Sequence, residues 1–556
     1  MWIVLVGLIV ATFVIIGRLV AFQIVQGQEW ADRTADKVVV IAQPERGIIY
    51  DRNGAVLAAN SADYQIGVSP NLVTGADELA NQLAVILEKQ RFELMDAFQS
   101  SRPFVMLAGR VSAEVAERVR ELQENHNGLQ IDPLPRRFYP QGELMCHTLG
   151  YVDFDGNGGA GIEGYYQTDL AGEAASAVIN ISPLQIQQSV IAREGADLTL
   201  TIDRSAQFLA EAHLRQAIAD YGAIGGNIII MEPATGAILA MATDPCYNPE
   251  LFYEAPEGQL FNPLVSSQYE PGSVMKLITM AAALDAGVVT PQSTYYDSGE
   301  LWAGGHRTVN WDRAAHGTVD MTTLLARSLN VGAATLASWM GPDSYYDYMR
   351  RFNFGSPTGI DIMSEAGGLM PLPGDPLWTE SFLATNSYGQ SLAVTPLQMI
   401  SAISALANGG EIMQPYVVQE IRTANGTFVH TPFVASRPIS AETARVVTEM
   451  AVTAVSREVP DALVDGYTIA GKTSTAQIAE NGVYLRDATN ASFVGWMPAD
   501  KPAVIVLINL NRPSVSPWGS TTAAPAFGKL AKELVVLLDI PPDNVRLQQD
   551  LMALRN

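Results

Sequence analysis

The sequence predicts an α+β protein in three parts: an apolar N-terminal helix, a mixed and elongated module, and a larger domain in which helices bracket an antiparallel sheet. Three observations predict it. Residues 1–17 carry no charged side chain. Pairs of apolar runs joined by turn residues, as in PERGIIYDRNGAVLAAN and NIIIMEPATGAILAMAT, mark antiparallel hairpins. Stretches with helical periodicity lie around them, at 76–98, 112–123, 205–221 and 441–456. At 556 residues the chain is too long for one ordinary core.

Beyond Arg18 the apolar character of Met1–Gly17 resumes from Leu19 to Val25. As a helix, about 24 residues reach roughly 36 Å, enough for a hydrocarbon layer of about 30 Å if Arg18 extends its charge to the interface. A cleaved signal peptide competes with this reading. No basic stretch precedes the apolar run and no small-x-small site follows it, so residues 1–25 are read as an uncleaved transmembrane anchor, ahead of a signal peptide or a buried core helix. The missing basic tail would place the true start upstream of Met1, and the flanking charge gives no orientation.

Residues 26–195 form the mixed module. Gln26 to Val40 is polar and then extended, Asn53-Gly54 signals a hairpin, Ala76–Phe98 and Ser112–Gln123 are helical, and Tyr139–Gly172 is glycine-rich and loop-like. Composition shifts near Gly195. From 196 to 541, LTLTID leads into a helix, a Pro-Ala-Thr-Gly turn joins two strands, and Tyr467–Gln477 and Ala503–Asn509 read as further strands. Residues 542–556 remain as a C-terminal tail.

Hydrophobic residues are 48% and charged ones 17%, which excludes a mostly disordered chain. No second long apolar run suggests a polytopic membrane protein. With 34 basic against 58 acidic residues the net charge is −24, so the surface repels phosphate backbones and nucleic acid is not an expected partner. Cys146 and Cys246 lie far apart without CxxC spacing, and six scattered histidines show no ligand spacing. Neither a metal site, another cofactor, nor a disulfide framework is expected.

Chemistry concentrates in Glu270-Pro-Gly-Ser273-Val-Met-Lys276. After the Pro271-Gly272 turn, every residue to Leu284 is apolar or small except Ser273, Lys276 and Thr279, so the helix is buried nearly all round. Ser273 and Lys276, three apart, share a face. Burial drives a lysine toward the neutral amine, which one turn from a hydroxyl serves as its base. Free N–H groups at the helix start would face a developing oxyanion. Ser-x-x-Lys alone often marks nothing more than a capped helix, but the chain holds only seven lysines. Ser328-Leu329-Asn330, a polar interruption of an apolar helical stretch, and Lys472-Thr473-Ser474-Thr475, on a strand, are each weak signals. Taken singly, a Lys-Thr strand is usually a solvated face. In this order, the three motifs form the set of penicillin-recognising serine enzymes.

With RGIIYDRNG, RRFYPQGELMCHTLGYVD, GIEGYY, NSYGQSLAVTPLQ and ASFVGWMP, the chain resembles class B penicillin-binding proteins, monofunctional peptidoglycan D,D-transpeptidases of elongation or division, along nearly its whole length. The resemblance implies a five-stranded antiparallel sheet flanked by helices over 196–541, on an extended pedestal of dimerisation type over 26–195. It implies Ser273 as the nucleophile that forms an acyl-enzyme with a D-Ala-D-Ala stem peptide and Lys276 as its base. It implies Ser328 as proton relay, Asn330 as holder of the acyl amide, and Lys472 and Thr473 as the carboxylate site. The N–H groups of Ser273 and Thr475 would form the oxyanion hole. Beta-lactams would acylate the same serine, the bulk of the chain would lie outside the bacterial plasma membrane, and a membrane-embedded glycan polymerase would be its partner. The family usually has glycine where this chain has Ser474, so a narrowed cleft is expected there, and Ser474→Gly is expected to speed acylation by a penicillin.

Two other functions fit the same motifs: a D,D-carboxypeptidase or beta-lactamase that hands the acyl group to water, and a non-catalytic beta-lactam sensor or scaffold. The tethered pedestal favours transpeptidation, because a secreted lactamase needs no such module.

Overall fold

The computed structural model describes residues 2–21, 36–181, 191–256, 258–480 and 483–553. Helix α1 (Trp2–Val20) is apolar, and its described side chains from Val6 onward are exposed. Among the described residues no helix is long and apolar enough to cross a membrane. Of the anchor expected over 1–25, residues 2–20 are helical as α1, and residues 22–25 lie outside the described residues, as do 26–35. The chain divides into two compact units, Met1–Gly47 with Thr168–Ala196, and Ile48–Gln167 with Asp197–Asn556. Within the first, Asp36–Ala42 pairs antiparallel with Ala175–Ile181.

In the second unit, β1 (Ile49–Tyr50) and β2 (Val56–Val68) form the expected hairpin. Asp51 makes its turn by accepting from the Asn53 and Ala55 amides at 2.9 and 2.7 Å, and Gly54 supplies a φ of +84°. The helical stretch expected over 76–98 is two helices, α2 (Ala76–Ile86) and α3 (Arg91–Phe98), because Glu88 turns into the left-handed region at φ +53°. Strand β3 (Val105–Val111), helix α4 (Ala113–Gln123) and strand β4 (Leu129–Phe138) follow, with Ser112 capping α4 through the Val115 amide. Their apolar faces meet in a cluster that includes Ile66, Leu79, Leu83, Leu94 and Val119.

The second part runs β5 (Asp197–Leu200), α5 (Arg204–Tyr221), β6 (Gly225–Met231), β7 (Ile238–Asp244), α6 (Met275–Asp285), α7 (Met321–Arg327), α8 (Asn330–Arg351), β8 (Val418–Thr423), β9 (Gly426–Val429), α9 (Ala441–Glu458), β10 (Ala470–Glu480), β11 (Val483–Met497), β12 (Val504–Asn511), α10 (Ala523–Leu537) and α11 (Asp543–Ala553). Asp203 starts α5 by accepting from the Ser205 and Ala206 amides at 2.8 and 3.1 Å. The five-stranded sheet has order β10-β11-β12-β6-β7 and is antiparallel throughout. Helices α5 and α10 cover one face of it, burying Leu214, Ile228, Ile230, Phe493, Val506, Phe527 and Leu530 together. A second sheet, in order β9-β8-β5-β1-β2-β3 with β4 also paired to β2, draws strands from both ends of the chain. Residues 543–553 of the expected tail are α11, held by Arg546 against Asp500 and Asp543.

One expectation is overturned. Cys146 and Cys246 form a disulfide, with Cα atoms 6.2 Å apart. A separation of 100 residues leaves no local signature. The pairing depends on docking of the short helix Cys146–Leu149 beside the end of β7, where His147 Nδ1 lies 2.6 Å from Thr243 Oγ1 and the His147 ring meets Tyr247 edge-on at 5.2 Å. His147 also puts a ring nitrogen within 4.8 Å of both sulfurs, a grouping of metal-ligand types that the spacing did not suggest. Joined as a disulfide, the sulfurs have no thiolate to offer a metal. Glu163, in the stretch read as a loop, is buried and pairs at 2.6 Å with the buried Arg137 of β4.

Candidate active site

The Pro271-Gly272 turn leads into a single 3-10 turn, Gly272–Val274, and then into α6, whose residues Met275 to Ala283 are all buried. Ser273 therefore stands at the start of a helical stretch, half-buried, while Lys276 one turn on is only 1% exposed. Lys276 Nζ donates to Ser273 Oγ at 2.9 Å, to Ser328 Oγ at 3.1 Å and to the Ser328 carbonyl at 2.8 Å. Burial holds this amine well below the usual lysine range, and the Lys472 charge pushes it the same way. With the proton gone, the same contact runs in reverse and the Ser273 hydroxyl donates to the amine.

Ser328 is available because of a break between helices. Residue 328 closes α7 in the left-handed region, φ +56°, and α8 begins at Asn330. Its carbonyl and hydroxyl are thereby turned toward Lys276 instead of into a helix. The start of α8 is fixed by Asn310, which accepts from the Val331 amide at 3.1 Å and donates to both Asp297 oxygens. The Asn330 side chain donates to the Val309 carbonyl at 3.0 Å, leaving its amide oxygen as an acceptor at the cleft.

Strand β10 lies at the edge of its sheet, so the outward N–H groups are not consumed by a ladder. Its side chains alternate: Lys472, Ser474 and Ala476 are buried, whereas Thr473 and Thr475 are half-exposed. Burial lowers Lys472 to about 8, against the opposing charge of Glu458. Its Nζ donates to the Thr473 carbonyl at 3.2 Å, and Thr475 Oγ1 accepts from the Gly519 amide at 3.1 Å. Ser273, Ser328, Asn330, Lys472, Thr473, Ser474 and Thr475 line one cleft of about 560 Å³, and the buried Lys276 reaches it through its contacts with Ser273 and Ser328.

Ser474 corrects an expectation. It lines the cleft, but its side chain is only 2% exposed and is turned onto the nucleophile's turn, donating to the Pro271 carbonyl at 2.8 Å. Strand alternation puts it on the same face of β10 as Lys472.

Several residues of the site carried no signal in the sequence. Gly389, at φ +84°, presses on the nucleophile's turn and accepts from the Gly272 amide at 3.0 Å. It sits in the NSYGQS stretch, which was recognisable only as a landmark. Glu270 is raised by burial even while it accepts from the Ser391 amide at 2.8 Å and the Tyr484 hydroxyl at 3.0 Å. At the cleft, Trp311 and Trp518 meet edge-on at 5.6 Å, and both are substantially exposed.

Comparison with known proteins agrees with this geometry. Residues 226–532 match the penicillin binding protein transpeptidase domain and residues 41–200 the penicillin-binding protein dimerisation domain. Stage V sporulation protein D of Bacillus subtilis is 31% identical over 524 residues, covering 91% of this chain and 80% of the relative. Penicillin-binding protein PbpB of Mycobacterium tuberculosis is 30% identical, with 91% and 80% covered. Among solved structures, penicillin binding protein 3 of Mycobacterium tuberculosis in complex with aztreonam has a TM-score of 0.70 at 27% identity, covering 90% of this chain and 98% of that one. A peptidoglycan synthetase of Bifidobacterium adolescentis gives 0.73 at 25%, with 92% and 98% covered. The chain belongs to the class B penicillin-binding proteins, the serine D,D-transpeptidases of peptidoglycan synthesis.

Proposed function

We propose that this protein cross-links peptidoglycan by acyl transfer through Ser273, from an anchor in the bacterial plasma membrane with both large modules outside the cytoplasm. One observation carries the chemistry: a buried amine within 2.9 Å of one serine hydroxyl and 3.1 Å of another, on a cleft that a second lysine also lines. Lys276 takes the Ser273 proton as Oγ attacks the penultimate D-alanine carbonyl. The tetrahedral oxyanion lies against the N–H groups of Ser273 and Thr475. Ser328 passes the proton to the departing D-alanine amine, and the C–N bond breaks to leave an ester on Ser273. An amine of a neighbouring stem then attacks the ester, gives up its proton along the same path, and regenerates the hydroxyl. Asn330 holds the acyl amide, and Lys472 with Thr473 holds the terminal carboxylate.

Beta-lactams, whose strained amide mimics this donor, acylate Ser273. The apolar, exposed face of α1 supports the anchor, and a disulfide fits an oxidising compartment. A separate membrane-embedded glycan polymerase of the shape, elongation, division or sporulation type supplies the strands.

Incubation with lipid-linked glycan strands tests the function. Cross-linked dimers are expected, trimmed monomers would establish a carboxypeptidase, and no product would favour the sensor. Fluorescent penicillin is expected to label the chain and not Ser273→Ala. Recovery in the soluble fraction after cell lysis would overturn the anchor.

A further inference from the structure

Ser474 stands where the family usually carries glycine, and its hydroxyl contacts the turn that delivers the nucleophile. It donates to the Pro271 carbonyl at 2.8 Å. The amide of the same peptide group, on Gly272, donates to the Gly389 carbonyl at 3.0 Å. The Pro271–Gly272 peptide, one bond ahead of Ser273, is thus gripped at both of its polar atoms, by the edge strand on one side and by the Gly389 loop on the other. Gly272 is at φ +58°, and a Cβ there would come within 2.4 Å of Ser474 Oγ. The hydroxyl is therefore packed as well as bonded, with Ser474 only 2% exposed.

Rotation of that peptide plane swings the Ser273 N–H and Oγ together, relative to both Lys276 and β10. With glycine at 474 the carbonyl end loses its side-chain partner, and only the Gly389 contact remains. We propose that Ser474 is a positioning residue for acylation, locking the nucleophile's turn to the strand that carries Lys472. This rests on the reading of Ser273 as nucleophile. The hydroxyl is committed to the Pro271 carbonyl and almost wholly buried, so it acts through the nucleophile's turn on the bond-making step and not on capture of the ligand. A side chain at this position therefore aids the reaction, the reverse of the steric expectation.

The test is stopped-flow acylation of the full chain by a chromogenic cephalosporin, separating the first-order acylation constant from the prior dissociation constant. Ser474→Gly and Ser474→Ala are both expected to slow acylation about 2- to 13-fold, the range of one hydrogen bond. Both should leave the dissociation constant within about 2-fold. Misfolding lowers the amplitude and not the first-order constant, so the measurement stays decisive for a partly folded variant. Acylation of Ser474→Gly at or above the wild-type rate would overturn the proposal. So would a normal rate in Ser474→Ala beside a slow Ser474→Gly, since backbone freedom and not the hydroxyl would then be responsible. Weakened binding with unchanged acylation would also count against it. Label retained in Ser273→Ala would instead sink the underlying assignment, whatever Ser474 does.

Discussion

Replacing Ser328 by alanine separates a proton relay from a merely structural hydroxyl. Lys276 keeps two of its three contacts in that variant, to Ser273 Oγ at 2.9 Å and to the Ser328 carbonyl at 2.8 Å. Alanine retains the carbonyl, so the amine stays in place. If the hydroxyl only steadied the amine, the loss would be one hydrogen bond, about 0.5–1.5 kcal/mol, or roughly 2- to 13-fold. If it carries the proton to the leaving nitrogen, the loss is that of a general acid–base group, about 10²- to 10⁴-fold, or about 3–5 kcal/mol. The two ranges do not overlap. The assay is single-turnover acylation of purified full-length protein, with circular dichroism to establish that the variant is folded. We expect at least a 100-fold fall. A fall of less than about 10-fold in a folded variant would refute the relay and leave Lys276 as the sole proton carrier.

Acylation should fall on the acid side as Lys276 takes up its proton, at a pH well below the usual lysine range, and on the alkaline side near the value of about 8 for Lys472. Lys472→Gln should remove the alkaline limb and move the acid limb to higher pH, because a positive neighbour no longer opposes protonation of Lys276; an unmoved acid limb would show that the two amines do not interact. The unfolded chain holds the proton that buried Lys276 gives up, so this group's contribution to stability rises with pH between its lowered value and the usual one. Reduction of Cys146–Cys246, or Cys246→Ala, should destabilise the fold by about 2–5 kcal/mol, read as a lower thermal midpoint with reductant than without, and an unchanged midpoint would deny the link a stabilising role. Gly389→Ala should lose penicillin labelling almost entirely, because a Cβ at φ +84° would come within 2.1 Å of the Gly272 carbonyl; wild-type labelling would show that the turn yields.

The nucleophile and its base were legible because their chemistry is local. Two residues one turn apart on an apolar helix fix both their mutual distance and their burial, and the contact at 2.9 Å follows from that spacing. Ser328 and Lys472 were legible only as members of an ordered set, since nothing in their own segments brings them to the cleft. What stayed hidden depends on contacts between distant segments. The Cys146–Cys246 pairing needs a short helix to dock against β7. The direction of Ser474 needs the turn at Pro271 to lie against β10. The split between α2 and α3 turns on a single left-handed residue, Glu88, of a type that ordinarily continues a helix. Strands β8 and β9 join a sheet whose other members are encoded more than two hundred residues earlier.

That shared sheet governs how the protein can be divided. Ile49 and Tyr50 pair in parallel with Leu198 and Thr199, and β5 in turn pairs with β8. A truncation that begins at residue 196 would strip β1 from β5, leave Cys246 a lone thiol, and take from the Glu211 carboxylate its Met145 amide donor, leaving Gln207. The exposed strand would then recruit other chains, so such a fragment is expected to precipitate or assemble through that edge, whereas one that begins at Ile48 keeps the edge covered.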